Sequence, residues 1–218
     1  EFYEENGYYI YGLRVPESDK IIKKYTKEFK ELSFKERLTL SEKFYYSKCS
    51  GQTNFGLKLL EMSLNQLKPE NFEFLDKIVD SFFIWGPTDS FSLYIMQPLL
   101  KKCPEKTKQL LKKWNNSSHI WKKRASVVTF TRKLGEEGKY VDFLLELTDN
   151  LIWDEEDLVR KGIGWALKDN MKGKNKEKVL NYVKNLRKMG VSSVITLYAI
   201  RKLKGKEREE VLKIKPSK

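Results

Sequence analysis

Apolar side chains recur at helical spacing along nearly the whole chain, and the two-residue alternation of half-buried strands is almost absent. After Pro16, residues Ile21, Ile22, Tyr25 and Phe29 share one stripe and predict a helix over 17–29. Ser33-Phe34-Lys35-Glu36 has the Ser-x-x-Glu form of a capping box and opens a second helix through Phe44. A third, from about Thr53 to Leu67, aligns Leu57, Leu60 and Leu64. Pro69 suits the first turn of a fourth, which carries Phe72, Leu75, Ile78, Val79, Phe82 and Phe83. Gly86-Pro87 should break that helix, and Thr88 or Asp89 should cap the next, running toward Leu100. Pro104 opens a sixth to about Trp114. Ser117 or Ser118 caps a seventh, from His119 to Leu134, ended by Gly135. Tyr140–Asn150, Asp154–Lys172, Lys176–Met189 and Ser192–Lys204 complete the set.

The connections are short, and no segment rich in Pro, Gly or Ser divides the chain. The expected architecture is therefore all-α, a single domain over 1–218 built as a curved solenoid of antiparallel helix pairs, an α-α superhelix. A compact, non-repeating helical bundle is the alternative, because no sequence identity is visible between the pairs. At 218 residues there is enough chain for a full core, and no apolar run reaches the roughly 18 residues of a membrane span. Glu1-Phe2-Tyr3 shows neither an initiator Met nor a signal-peptide pattern, so a native N-terminal segment is expected to be missing. Cys49 and Cys103 make no disulfide framework and read as incidental thiols of a reducing, cytoplasmic setting.

Charge sharpens the picture. Lys and Arg total 43 against 30 acids, a net +13 that suits a polyanionic partner, most often nucleic acid. The excess is spread from Lys23-Lys24 through Lys112-Lys113 and Lys122-Lys123-Arg124 to the stretch from Lys202 to Lys218. A groove that collects charge from many helices has this distribution, and so does a merely soluble lysine-rich surface.

Three segments carry candidate chemistry: Trp85-Gly86-Pro87-Thr88-Asp89, Trp121-Lys122-Lys123-Arg124-Ala125, and Arg160-Lys161-Gly162-Ile163-Gly164-Trp165. The steps from Asp89 to Arg124 and from Arg124 to Trp165 are each about one helix pair of a HEAT-type array, which stacks equivalent positions on one wall. Each residue also has a plain reading. Asp89 could cap a helix, the Trp residues could be core, Arg124 could pair at the surface, and Lys122, Lys123, Lys161 and Lys168 could be a solvated face. Lys161, Trp165 and Lys168 share one helical face. His119 is the only histidine, so no His-based triad or His-rich metal site can form, and the two cysteines lack zinc spacing. Gly162-Ile163-Gly164 lies inside a helical pattern, without the context of a phosphate loop. No metal or cofactor is expected.

These residues carry a resemblance. With Tyr11-Gly12-Leu13-Arg14-Val15-Pro16, Trp85 to Asp89, Ile120 to Ala125 and Val159 to Leu167 in order, the chain resembles the AlkD-type DNA glycosylases, the HEAT-like alkylation-repair family. That family hydrolyses the N-glycosidic bond of cationic N3- and N7-alkylated purines, such as 3-methyladenine and 7-methylguanine, in duplex DNA. The resemblance implies a monofunctional glycosylase, a DNA-repair hydrolase, with Asp89 as catalytic carboxylate, Trp85 and Trp165 as cleft aromatics and Arg124 as a backbone-binding partner. It also implies a monomer on duplex DNA, nucleoid-associated and without membrane. Tyr3 stands where the family places another cleft aromatic, and Lys122, Lys123, Arg160, Lys161 and Lys168 are the further DNA-binding candidates. The chain departs from the family at Ile84, where another aromatic is usual, at Gly86-Pro87, and at Asp19 in an often basic region. The rival readings are a non-catalytic HEAT-like module for damaged or branched DNA and a protein-binding solenoid.

Overall fold

The computed structural model describes residues 7–216. Among them the fold is all-α, built of paired antiparallel helices in the HEAT-like manner. The only extended pairing in the described residues is an isolated bridge between Tyr9 and Cys49. The helices are α1 (Val15–Lys24), α2 (Thr26–Glu31), α3 (Phe34–Tyr46), α4 (Ser50–Ser63), α5 (Phe72–Asp80), α6 (Trp85–Phe91) and α7 (Gln97–Lys102). After them come α8 (Pro104–Asn115), α9 (Ile120–Val128), α10 (Arg132–Glu137), α11 (Val141–Asp149) and α12 (Asp157–Met171). The last three are α13 (Lys176–Lys188), α14 (Ser193–Ala199) and α15 (Gly205–Lys213). Packing separates the chain into two compact units, one up to Leu110 and the other from Leu111.

In the first unit, α3 and α4 pair closely because Gly56 leaves room for a ring. A Cβ there would stand 2.9 Å from Tyr45 Cδ2. Tyr45 then meets Phe82 and Phe91 in a tilted and an edge-on contact, over a core that includes Leu59, Leu60 and Leu75. The capping box at Ser33 forms as its sequence predicts: the Glu36 N–H donates to Ser33 Oγ at 3.3 Å, and the Ser33 N–H to Glu36 Oε2 at 2.7 Å. Lys102 closes the turn after α4 by donating to the carbonyls of Leu64, Asn65 and Leu67 at 2.8–3.1 Å.

Gly86-Pro87 does not separate two helices. The preceding helix ends at Asp80, and α6 starts at Trp85 with Ile84 as its N-cap. Pro87 is therefore in the first turn, where a missing N–H costs nothing because those donors have no intrahelical acceptor. The helix continues from α6 through a π turn, Ser92–Met96, into α7. Pro98 gives a reason for that widening: in a regular helix its ring would strike the Tyr94 carbonyl, and it has no N–H to offer that oxygen.

In the second unit α12 is central, and two glycines on it set two crossings. A Cβ at Gly162 would lie 3.2 Å from Val128 Cγ2 and 3.4 Å from Arg124 Nη1, so α9 comes close on that side. A Cβ at Gly164 would lie 2.7 Å from Tyr198 Cβ and 3.0 Å from the Ile195 carbonyl oxygen of α14. Gly164→Ala is therefore expected to destabilise the fold by about 1–3 kcal/mol through overpacking, despite a gain of about 1 kcal/mol in helix propensity. Gly86→Ala, with open space around the added methyl, should leave stability unchanged or raise it. Thermal melts of both variants test this, and a Gly164→Ala protein that melts at or above wild type would show that the crossing is not tight.

The predicted helix over His119–Leu134 is broken at Thr129–Thr131. Thr129 and Thr131 turn their hydroxyls to the carbonyls of Ala125 and Val128 at 2.8 and 2.7 Å, and Arg132 takes a left-handed φ of 55°. Gly135 then lies inside α10 rather than ending the helix. The predicted helix over 17–29 is likewise divided at Tyr25, and α15 forms within the basic stretch from Lys202 to Lys218, beyond the last predicted helix.

Candidate functional site

In the first unit, α6 presents Trp85 at its first position and Asp89 one turn on, so both project from the same helical side. Trp85 is 54% exposed and Asp89 only 7%. The core reading fails for this indole, since burying its large apolar area would be favourable and the fold leaves it in water. Asp89 is not an N-cap, because Ile84 fills that role. The pair is thus an exposed aromatic above a carboxylate withdrawn from bulk solvent, where its charge acts more strongly than it would in water.

In the second unit, Arg124 is 6% exposed on α9. Its Nη1 donates to the Leu158 carbonyl, and its side chain packs against Gly162. It is therefore not a solvated surface arginine. Trp121 beside it is buried and belongs to the core. Lys122 is buried as well. Lys123 pairs with Asp154 at 2.6 Å, and Arg160 donates through Nε to the Asp154 carbonyl at the same distance, so the two fasten the loop before α12. Lys161 is exposed and paired with Asp157 at 2.6 Å. Several other lysines pair with acids of other helices, including Lys112 with Glu146 and Lys184 with Glu210. Exposed pairs of this kind add about 0–1 kcal/mol each, but they do use up part of the basic excess.

Trp165 and Lys168 come together on α12 in a pocket that Arg132, Lys172, Tyr198 and Arg201 also line. The Arg132 guanidinium and the Lys168 ammonium each lie 5.9 Å from the Trp165 ring centroid. Lys168 is 6% exposed and bonded to Asp169 at 3.0 Å. Burial holds its ammonium below the ordinary lysine value, Asp169 opposes that, and the Arg201 and Lys172 charges add to it. For Asp169, burial acts upward, but the Arg132 backbone N–H and the Lys168 ammonium bring the carboxyl below its ordinary value. Within the units, then, the fold joins Trp85 to Asp89 and Trp165 to Lys168, and it places Arg124 on the α9 side of α12. Tyr3 lies outside the described residues.

Arg132, Lys172, Tyr198 and Arg201 are not among the residues the sequence singles out. Lys172 could have been found from its place one and two turns after Lys168 and Trp165 on one helix face. The contributions of α10 and α14 could not, since only the tertiary fold brings them to α12. Trp153, 60% exposed between α11 and α12, is a further aromatic left in water.

Fold and side chains together define a HEAT-like helical protein with exposed or half-exposed indoles, an inward carboxylate and a cationic pocket. The family model for the DNA alkylation repair enzyme matches residues 2–203, and the chain belongs to that family. Its role is in the repair of DNA alkylation. Among solved structures it is similar to a predicted DNA alkylation repair enzyme from Enterococcus faecalis, at 16% identity and a TM-score of 0.79, over 92% of this chain and 91% of that one. That likeness is one of fold. No curated protein matches the chain. No group of three or more His, Cys, Asp or Glu suited to hold a metal occurs among the described residues, and no helix there is long and apolar enough to cross a membrane.

Proposed function

We propose that the chain is a monofunctional DNA glycosylase that hydrolyses the N-glycosidic bond of cationic alkylpurines in duplex DNA. The observation that carries this reading is the pair on α6: an inward carboxylate, Asp89, one turn from a solvent-exposed indole, Trp85. Asp89 is not the N-cap of its helix and Trp85 is not packed in the core, and the chain belongs to an alkylation-repair family.

The chemistry needs little more than these groups. A purine alkylated at N3 or N7 carries a positive charge that its departure removes, so no general acid is required to protonate it, in contrast to ordinary glycoside hydrolysis with two carboxyl groups. Two tasks remain: stabilising the oxocarbenium-like sugar and activating a water. One ionised carboxylate can perform both. Trp85 and Trp165 offer π faces and edges to sugar and base, and Arg124 offers a positive charge for a phosphate. The Leu158 carbonyl accepts from Nη1 and holds that guanidinium in place, which lowers the entropy lost on binding.

The direct test is release of 3-methyladenine or 7-methylguanine from methylated duplex DNA by the purified chain, with abasic sites as the second product. Salt-sensitive duplex binding without release would replace this reading with a non-catalytic DNA-binding module, and no duplex binding at all would leave a protein-binding solenoid. Arg124→Ala is expected to weaken duplex binding and slow release, lowering the salt slope of binding by about 0.9, the value for one phosphate contact. If the melting temperature falls and the slope holds, Arg124 serves only the packing of Leu158 and Gly162.

A further inference from the structure

Residues 8–11 form a strap over the start of α4 with little burial of its own: Tyr8 is half-buried, and Tyr9, Ile10 and Tyr11 are exposed. The strap is held by specific bonds instead. The Tyr9 N–H donates to the Lys48 carbonyl at 2.8 Å, and the Tyr9 carbonyl accepts the Ser50 N–H at 3.1 Å. The Tyr11 ring lies against Gly51, where a Cβ would stand 2.8 Å from Tyr11 Cδ2, and its hydroxyl accepts from Gln52 Nε2 at 3.2 Å. Lys48, between α3 and α4, keeps a left-handed φ of 57°, which a non-glycine residue holds only when its surroundings impose it. The strap is therefore fixed to a stiff turn.

Tyr8 reaches from this anchored strap to the segment that precedes α6. Its ring stacks on Phe83, with centroids 3.8 Å apart and planes 7° from parallel, and the Lys48 ammonium lies 5.7 Å from its centroid. Phe82, next in the chain, is buried against Tyr45 and Phe91, each with its centroid 5.4 Å away. Residues 82–83 are thus gripped by rings of the core and by a ring of the strap. Trp85 needs such a grip. It opens a helix of seven residues whose N-cap, Ile84, supplies no side-chain hydrogen bond. An uncapped first turn is where a helix frays, and an indole that is 54% exposed has little packing of its own to fix it. Ile84 is extended, with φ −149° and ψ 155°. Side chains that flank an extended residue point to the same side, so the ring that Tyr8 holds is on the side to which Trp85 projects.

We propose that Tyr8 is a positioning residue for Trp85: by stacking on Phe83 it restrains the segment that presents the indole, and through it sets the lesion preference of the α6 site. The proposal rests on the reading of Trp85 as a contact for the alkylated nucleotide.

Two measurements on the full chain test it. The first is fluorine NMR of fluorotryptophan-labelled protein, with the Trp85 resonance assigned as the one lost in Trp85→Phe. In Tyr8→Ala the transverse relaxation of that resonance should change to that of a mobile side chain, while the remaining Trp resonances keep theirs. Tyr8→Phe, which retains the stack, and Tyr9→Ala, which removes an exposed neighbour but no backbone bond, should both match wild type. Phe83→Leu removes the other half of the stack and should repeat the effect of Tyr8→Ala. Wild-type relaxation at Trp85 in both Tyr8→Ala and Phe83→Leu overturns the proposal, whatever the activity of the chain. The second measurement is the ratio of release rates for 7-methylguanine and hypoxanthine. Tyr8→Ala should narrow it a few fold, Tyr8→Phe should restore it, and Tyr8→Ala should add nothing in a Trp85→Ala background, as expected of a residue that acts through Trp85. The same narrowing in both backgrounds overturns the proposal, because Tyr8 would then act without Trp85. No base release by wild type removes the glycosylase reading and the lesion preference with it, and the fluorine relaxation still decides whether Tyr8 positions Trp85.

Discussion

Asp89→Asn is expected to slow base release by about a hundredfold or more while duplex affinity stays within a few fold. The substitution keeps the shape of the side chain and removes its negative charge. In the proposed mechanism that charge faces a sugar that becomes cationic as the purine leaves, so its worth is concentrated in the transition state, where binding energy accelerates chemistry. Losing one aligned electrostatic stabiliser typically costs about 3 kcal/mol, which sets the hundredfold scale. Burial strengthens the argument, because a carboxylate at 7% exposure is little screened by water. Binding of undamaged duplex presents no sugar cation and should even gain slightly from the loss of a negative group. Single-turnover release from methylated duplex, paired with binding and a thermal melt, gives the three quantities needed. A folded Asp89→Asn protein that releases base at the wild-type rate would remove Asp89 from the mechanism.

Periodicity and capping made most of the helices legible. Ser33 to Glu36 is the clearest case, because a capping box is a local hydrogen-bond pattern and needs no tertiary context. The errors fall where a local signal has two structural outcomes. Gly86-Pro87 reads as a break, but a proline in a first turn is as compatible with a helix as one in a linker. Thr129 and Thr131 look like ordinary helix residues until their hydroxyls bond to the carbonyls one turn back. Gly162 and Gly164 hint at phosphate loops only in isolation. On a helix they mark close approach, and which helices approach is tertiary information.

The candidate site was legible in one dimension only. Trp85 with Asp89 and Trp165 with Lys168 are helical neighbours, and simple spacing finds them. Exposure was not legible: composition treats Lys122, Lys161 and Lys168 alike, yet Lys161 is exposed and the other two are buried. The pocket around Trp165 joins α10, α12 and α14, and no spacing rule links Arg132 to Arg201 across that distance in sequence.

Release of 3-methyladenine and 7-methylguanine should far exceed release of uracil or hypoxanthine from otherwise identical duplexes, and Trp85 should contribute more than Trp165 to that preference. Most of the difference comes from the leaving group. A cationic purine departs neutral, whereas a neutral base departs as an anion unless an acid protonates it. The indoles add to this by attracting a cationic base, by about 0.5–2 kcal/mol per contact, but the two do not offer the same surface. Trp85 is more than half exposed. The Trp165 ring already has the Arg132 and Lys168 charges 5.9 Å from its centroid, which weakens its attraction for a further cation and suits it to the sugar-phosphate strand. Trp85→Ala should therefore narrow the cationic preference by up to about tenfold, the equivalent of 1.4 kcal/mol, whereas Trp165→Ala should lower release from all substrates more evenly. Initial rates on cationic and neutral lesions in the same sequence context, with melts of each variant, separate these effects. Efficient excision of uracil by wild type would sink the leaving-group argument, and an equal narrowing by both Trp variants would show that the cations around Trp165 do not occupy its face when DNA is bound.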